Sequence, residues 1–556
     1  MVMLVLMLPL AEWGLRVVGV GVSVEPLLRV KEREQTYWQP NPGFFERIGK
    51  VDEIRTESWR ARDFLADDEK SRDCIRLIVL GGSAAIGDPP DVAYGFWRIL
   101  DYMLRTQFPE YRFEVLPMAY TGTDSYCMYS AAQAVRVLDP DFFLVYMGNN
   151  EVTAGYGCSN VLLNACDSVY PVRIYSALMR FRMFQIGSDF FGTVAALLLS
   201  DDPSNPRDAL ETAVSYSPRG PEVRACIRRF QHNLRDICRA GLDCGASVLV
   251  STVASNLRTW EPFCSEHGRN WNEADAAKWN SLFSEGNRFL AENAFPEAAA
   301  LYEEALALDP DYAAAHFYLA TCLYQMGQFE KAREHFVQAR DCDRLQARPS
   351  SAMNNAIRAT VNDFDHERVR LVEGEGEIWE HSPGGVPGWE MFYDLVHLQF
   401  VGAYRLAEAF LEQICIALED QEDPPCQPMR EEEVRTALAL TTEMQLRHLD
   451  AIENGMLHGL REVCEKDWHQ EEVAAQRQAL QQAVARNPPD HQLRAYQHAL
   501  KLNPGDAVLR YRYARELLQS ENVAEAKAVL EGAPDSSPPH PALDELAASL
   551  RQTATK

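Results

Sequence analysis

Four short stretches of this 556-residue chain carry residue types that do acyl-transfer chemistry when brought together. Gly81-Gly82-Ser83-Ala84-Ala85-Ile86-Gly87 puts a serine behind two glycines, a turn sharp enough to lift its hydroxyl into a cleft. Thr121-Gly122-Thr123 is a flexible point whose amide can face the same cleft. Gly148-Asn149-Asn150-Glu151 supplies a side-chain carboxamide. Asp394-Leu395-Val396-His397 sets a carboxylate three residues before an imidazole, a distance one turn can close. A serine hydroxyl becomes a useful nucleophile only when a base takes its proton. Singly, each stretch also has an ordinary reading. GxSxxxG occurs in turns, Gly122 suits a loop, and Asn after Gly is a turn former. One Asp-x-x-His among 13 histidines can arise by chance. Order and placement carry the argument.

The placement comes from the strands. IRLIVLGG from Ile75 is an apolar run ending in glycines, a buried strand entering a tight turn. FEVLPMAY (113–120), FFLVYMG (142–148), SVLVSTVA (247–254) and RVRLV (368–372) read as four more strands. Between them, Phe96, Ile99, Leu100, Met103 and Leu104 have the spacing of an amphipathic helix, as do Val223, Cys226, Ile227, Phe230, Leu234 and Ile237. A helix through 131–137 stops at Asp139-Pro140. Alternating strands and helices predict an α/β fold, a parallel sheet covered on both faces. Ligands of such sheets bind beyond the carboxyl ends of the strands. The first three stretches lie there.

On Gly81-Gly82-Ser83 with Gly87, Gly122, Gly148-Asn149-Asn150-Glu151, and Asp394 with His397, the chain resembles the SGNH/GDSL hydrolase superfamily over residues 75–409, with one insertion. VYMGNNE and DLVHLQFVGAYRLA are similar to a bacterial subgroup that joins this domain to tetratricopeptide repeats. The resemblance implies a flavodoxin-like sheet of about five parallel strands in a three-layer α/β/α domain. It implies Ser83 as nucleophile, His397 as base and Asp394 as the group that fixes the imidazole tautomer. It also implies an oxyanion hole from the Ser83 and Gly122 N–H groups and the Asn150 side chain. Water would release an acyl-serine, making the protein an esterase; a sugar hydroxyl in place of water would make it an O-acyltransferase. The implied substrate is a small-molecule or carbohydrate ester. Glu151 is expected to orient Asn150, and Asn256 and Arg258 to hold polar groups of the substrate. Activity is expected to fall below about pH 6.5 as the base protonates. Four positions depart from the family pattern: Gly82 for Asp, Pro117 where Asn is frequent, Glu151 for Asp, and Leu398 where Pro follows the His. None removes a group that does chemistry, but together they blur the substrate class. The alternative reading is an adaptor that carries an inactive hydrolase fold. No P-loop lysine, dinucleotide turn or metal-ligand cluster is present, so no cofactor or metal is expected.

A 34-residue period runs from Trp279 to Arg344. Gly286, Phe289, Ala298, Tyr302, Ala305 and Pro310 sit at the key positions of tetratricopeptide repeats, and the first five recur 34 residues on as Ala320, Leu323, Ala332, Phe336 and Ala339. Tyr496, Ala499, Pro504, Ala514, Ala526 and Leu530 repeat it more loosely, until Ser536-Ser537-Pro538-Pro539 breaks it. The grooves of such repeats take peptide or protein partners; alternatively these helices shape the cleft. The expected order is an N-terminal membrane anchor (1–24), an arm (25–70), the first part of the hydrolase domain (71–272), inserted repeats (273–346), the second part (347–418), an acidic proline-rich linker (419–433) and a C-terminal repeat-like region (434–556).

The first segment, MVMLVLMLPLAEWGLRVVGVGVSV, is apolar but interrupted by Glu12 and Arg16. It reads as an anchor that leaves the domain on the periplasmic or cell-envelope side of a membrane, or as an amphipathic helix packed on the protein itself, with a cytoplasmic location as the alternative. The 54 basic and 81 acidic residues give a net charge of −27, which repels nucleic-acid backbones, so no nucleic-acid partner is expected. The 13 cysteines include no CxxC pair and no zinc spacing; most are expected to be buried, and Cys158 and Cys166 are close enough in sequence to bridge.

Overall fold

A computed structural model describes residues 2–32, 35–49, 64–158, 160, 163, 167–198, 216–268, 272–419, 429–457, 469–534 and 540–553. Two antiparallel strands, β1 (Leu27–Glu32) and β2 (Gln35–Pro40), pair with the short β3 (Ala66–Asp67). This small sheet lies where the sequence suggested only an arm.

The main sheet consists of β4 (Cys74–Gly81), β5 (Arg112–Pro117), β6 (Phe142–Tyr146), β7 (Ser247–Ser251) and β8 (Val369–Val372). All pairs are parallel, in the order β5-β4-β6-β7-β8. These are the five strands expected from the apolar runs. Leu77, Ile78, Val79 and Leu80 are all fully buried because helices cover both faces. Helix Phe96–Gln107 buries Phe96, Ile99, Leu100, Met103 and Leu104, the positions its spacing marks. Helix Pro221–Asp243 buries Val223, Cys226, Phe230, Leu234 and Ile237. The helix expected over 131–137 begins earlier, as Ser125–Ala134, and ends in a 3-10 turn, Val135–Leu138. The strand order is flavodoxin-like and reverses direction between β4 and β6. That reversal opens a crevice at the carboxyl ends of the two strands.

Between β7 and β8 the helices Glu273–Ala291, Phe295–Leu308, Ala313–Gln325 and Phe329–Asp341 form two hairpins with their own apolar core. Gly286 lets them approach, since a Cβ there would lie 2.8 Å from the Tyr302 ring. The hairpins hold the chain segment that follows β7. Ala314 N–H donates to Ser265 Oγ (2.9 Å), and His267 lies against Trp279 and Tyr312 with its Nδ1 2.8 Å from Asp309 Oδ2. The linker residues 420–428 and Ser536-Ser537-Pro538-Pro539 lie outside the described residues, as does Cys166. Cys158 Sγ is 3.2 Å from Cys226 Sγ.

The C-terminal helices do not form a separate body. Tyr496, Ala499, Val508, Leu509 and Leu517 share one core with β4, β6 and β7. A buried ion pair fixes the junction: Arg98 Nη2 lies 2.5 Å from Asp506 Oδ2. Asp506 Oδ1 also accepts the Leu509 N–H, capping helix Ala507–Gln519. Asp506→Ala is therefore expected to lower folding stability by about 3 kcal/mol, because it leaves the buried Arg98 guanidinium with only Asp101, at 3.7 Å, and removes a cap. Denaturant unfolding of the full chain measures this; a loss below about 0.5 kcal/mol, the usual range for a surface substitution, would contradict the buried junction.

Helix Val2–Val17 has 16 residues with Pro9 inside, about 24 Å at 1.5 Å per residue against a bilayer core of about 30 Å. No helix among the described residues is long and apolar enough to cross a membrane. The anchor expected over 1–24 therefore has no spanning helix among the described residues.

Candidate active site

The crevice is built from the backbone outward. β4 ends at Gly81, Gly82 is extended, and Ser83 opens the short helix Ser83–Ile86. A Cβ on Gly82 would lie 2.7 Å from Asn150 Nδ2. Glycine at this position therefore leaves room for the carboxamide that follows β6. Gly122 has φ +72°, a left-handed conformation that glycine adopts without strain. Asn150 Nδ2 donates to Thr123 O at 2.9 Å, which fixes the amide beside the Gly122 turn.

Residues 391–399 fold back on themselves. Phe392 and Leu398 form an antiparallel bridge, and Tyr393 N–H donates to His397 O at 2.9 Å. Asp394 lies inside this fold with no exposed surface. Its Oδ1 accepts the N–H groups of Val396 (2.8 Å) and His397 (2.7 Å). Its Oδ2 lies 2.5 Å from His397 Nδ1, and His397 Nε2 lies 2.7 Å from Ser83 Oγ. Ser83 and His397, 314 residues apart in the chain, are thus hydrogen-bond neighbours.

Burial acts to lower the His397 pKa. The Asp394 charge and hydrogen bond, with the nearby Asp88 carboxylate, outweigh it and raise the pKa above the ordinary value. A histidine acting as base works when neutral, so a raised pKa moves the loss of activity to higher pH. The acid limb of kcat/KM is expected to have its midpoint above about 6.5, not at or below it. A pH–rate profile measures this, and a midpoint below 6 would contradict His397 as the titrating base. Asp88 is a neighbour the sequence reading missed; its Oδ2 accepts from Thr121 Oγ1 at 2.7 Å.

Ser83, Asp88, Gly122, Asn150 and His397 border one cavity of about 910 Å³. Its opposite wall belongs to the C-terminal region: Met444, Arg447, Tyr496, Tyr511 and Arg512. Buried Asp91 ties the two walls. It pairs with Arg512, and its Oδ2 lies 3.2 Å from His448 Nε2. Burial opposes its ionisation, but the Arg512 charge and His448 prevail and hold its carboxyl well below the usual range. Arg447 pairs with Glu516 at 2.6 Å. None of these wall residues stood out in the sequence as site residues; the loose repeat period was the only signal in that region.

Three expected site residues do other work. Glu151 accepts the Ser125 N–H and Oγ–H, each at 2.8 Å, at the start of helix Ser125–Ala134, whereas Asn150 bonds to Thr123 O. Burial and the Asp124 charge push the Glu151 pKa well up. Asn256 is fully buried beneath the Asp394 loop. Its Nδ2 donates to Asp394 O (3.0 Å), its N–H donates to Leu395 O (2.9 Å), and its Oδ1 accepts from Thr259. Arg258 pairs with Glu390 at 2.5 Å. Neither Asn256 nor Arg258 is among the residues that border this cavity, and the contacts described for both lie within the protein.

The geometry permits proton transfer from Ser83 Oγ to His397 Nε2, with Asp394 stabilising the imidazolium that forms. No curated protein matches the chain. Among solved structures it is similar to the acetyl xylan esterase AlAXEase, at 12% identity and a TM-score of 0.28, covering 60% of this chain and 98% of that one. It is also similar to LAE5, an alpha/beta hydrolase enzyme from the metagenome of Lake Arreo, Spain, at 11% identity and a TM-score of 0.28, covering 61% and 94%. Residues 289–355 and 474–550 match the tetratricopeptide repeat family, so both the insertion and the C-terminal helices that wall the cavity contain tetratricopeptide repeats.

Proposed function

We propose that this chain is a serine-dependent ester hydrolase of the SGNH type. The observation that carries the reading is the continuous chain of contacts from Ser83 Oγ to His397 to buried Asp394, at 2.7 and 2.5 Å, on the edge of a large cavity. His397 Nε2 takes the Ser83 proton as Oγ bonds to the ester carbonyl carbon. The negative carbonyl oxygen is held by the Ser83 and Gly122 N–H groups and the Asn150 amide. The C–O bond to the alcohol then breaks, and His397 returns the proton to the leaving oxygen. Water, deprotonated by the same imidazole, releases the acid from Ser83.

The substrate class is a small-molecule or carbohydrate ester. Tyr496, Tyr511, Arg447 and Arg512 line the cavity across from the serine, the two arginines held in place by Glu516 and Asp91. In this reading the C-terminal repeats shape the substrate site. The test is a screen of short-chain aryl esters and acetylated sugars with the purified full chain. Ester cleavage following saturation kinetics supports the proposal; folded protein that cleaves none of them supports the adaptor reading.

A further inference from the structure

An ordinary surface helix turns its apolar stripe inward. Three helices of this protein turn one outward. Leu10, Trp13 and Val17 are exposed at i, i+3, i+7 on Val2–Val17. Tyr170, Ile174 and Leu178 are exposed at i, i+4, i+8 on Tyr170–Leu178. Met183, Ile186 and Phe190 are exposed at i, i+3, i+7 on Arg182–Leu198, with Phe191 beside them at 73% exposure. Of the 19 large exposed hydrophobic residues among the described residues, 14 lie in 10–22 and 170–191. Such concentration exceeds the scattered apolar residues of a normal surface.

The polar groups of these segments are instead used to hold the helices together. Glu12 accepts the Arg182 and Met183 N–H groups, at 2.9 and 3.2 Å, closing the start of helix Arg182–Leu198. Buried Gln185 bonds to the N–H and C=O of Val22 and to Met179 O. Arg47 makes a two-pronged contact with Asp189 at 2.6 and 2.8 Å. The assembly is therefore fixed to the body of the protein with its apolar stripes facing out.

The rim of this surface is basic. Arg16, Arg47, Arg180 and Arg182 gather against Glu12, Glu25 and Asp189, a local positive excess on a chain whose net charge is −27. Burial, and to a lesser extent the Arg16 and Arg47 charges, depress the Arg182 guanidinium, while Glu12 acts the other way. Aromatic and aliphatic side chains edged by arginine are the composition of helices that lie in a lipid headgroup layer without crossing it. Positive charge there complements anionic headgroups.

We infer that these three helices form a docking face by which the protein lies on an anionic phospholipid bilayer, held by side chains inserted from one side only. The face needs no spanning helix and does not depend on the esterase reading.

Flotation of the full chain with phosphatidylglycerol–phosphatidylethanolamine vesicles tests this. The wild-type protein is expected to float with the vesicles. Trp13→Glu/Ile186→Glu/Phe190→Glu is expected to lower the bound fraction at least tenfold with an unchanged thermal unfolding midpoint, and Ile174→Glu alone to lower it several-fold. Arg16→Gln/Arg180→Gln is expected to weaken binding to these vesicles and to reduce its sensitivity to salt. Failure of folded wild-type protein to float would overturn the inference. So would flotation that all these substitutions leave intact. A lipid-free dimer, seen by light scattering and dispersed by the same apolar substitutions while no flotation occurs, would assign the face to a second copy instead.

Discussion

Ser83→Ala is expected to lower kcat/KM on an activated aryl ester by about 10⁴-fold or more, the scale on which removing the nucleophile of a serine relay acts. The substitution deletes one oxygen at the first position of helix Ser83–Ile86, where no cap depends on it. His397 loses its Nε2 neighbour but keeps Asp394 at Nδ1. The Gly82 backbone and the Asn150 amide stay in place, because neither bonds to the lost hydroxyl. The unfolding midpoint should therefore move little while turnover collapses. Steady-state kinetics alongside a thermal melt separate the two, and a loss below tenfold would mean that another group attacks the ester.

Asp394→Asn is expected to cost about 10⁴-fold in kcat, through a different cause. An asparagine at 394 can still accept the Val396 and His397 N–H groups through its oxygen, so the turn survives. Its amide nitrogen would then face His397 Nδ1, where the carboxylate now accepts. An N–H donor there favours the tautomer that carries its proton on Nε2, which cannot take one from Ser83. The substitution also removes the charge that raises the His397 pKa, so residual activity should persist to lower pH than in the parent. Equal kcat for parent and variant, or an acid limb displaced upward, would contradict this role for Asp394.

The main sheet was legible because its strands are buried on both faces, which turns each into a short continuous apolar run such as LIVL at 77–80. The Asp394–His397 pair was legible because both ends of the contact lie within one turn. The small sheet of β1 and β2 was not, because LLRVKE and QTYWQP mix charged and polar residues into strands with one covered face. The internal contacts of Asn256 and Arg258 were not legible for a related reason. A polar residue after a strand looks alike whether it meets a ligand or another loop, and only the fold puts Asn256 under Asp394. The far wall of the cavity was the least legible part. Asp91 and Arg512 are 421 residues apart, and nothing near either one announces the other. The repeat period showed that the C-terminal helices pack on each other, but not that they cover the serine.

The outward stripes on Tyr170–Leu178 and Arg182–Leu198 have the same lesson. Helical spacing identifies an apolar face, but the inside of the protein can lie on the other side. Only the buried hydrogen bonds of Gln185 and the capping contacts of Glu12 show which way these helices turn.

The proposed esterase chemistry requires Ser83 Oγ to be the attacking atom. Reaction of the intact protein with a fluorophosphonate, followed by proteolysis and mass spectrometry, reads this directly. The reagent's phosphorus is captured by a serine whose proton a neighbouring base removes. The account predicts one stoichiometric adduct on the peptide that carries Ser83, lost in Ser83→Ala and greatly slowed in His397→Ala. Folded protein that stays unlabelled, or an adduct on a different serine that persists in Ser83→Ala, would contradict it.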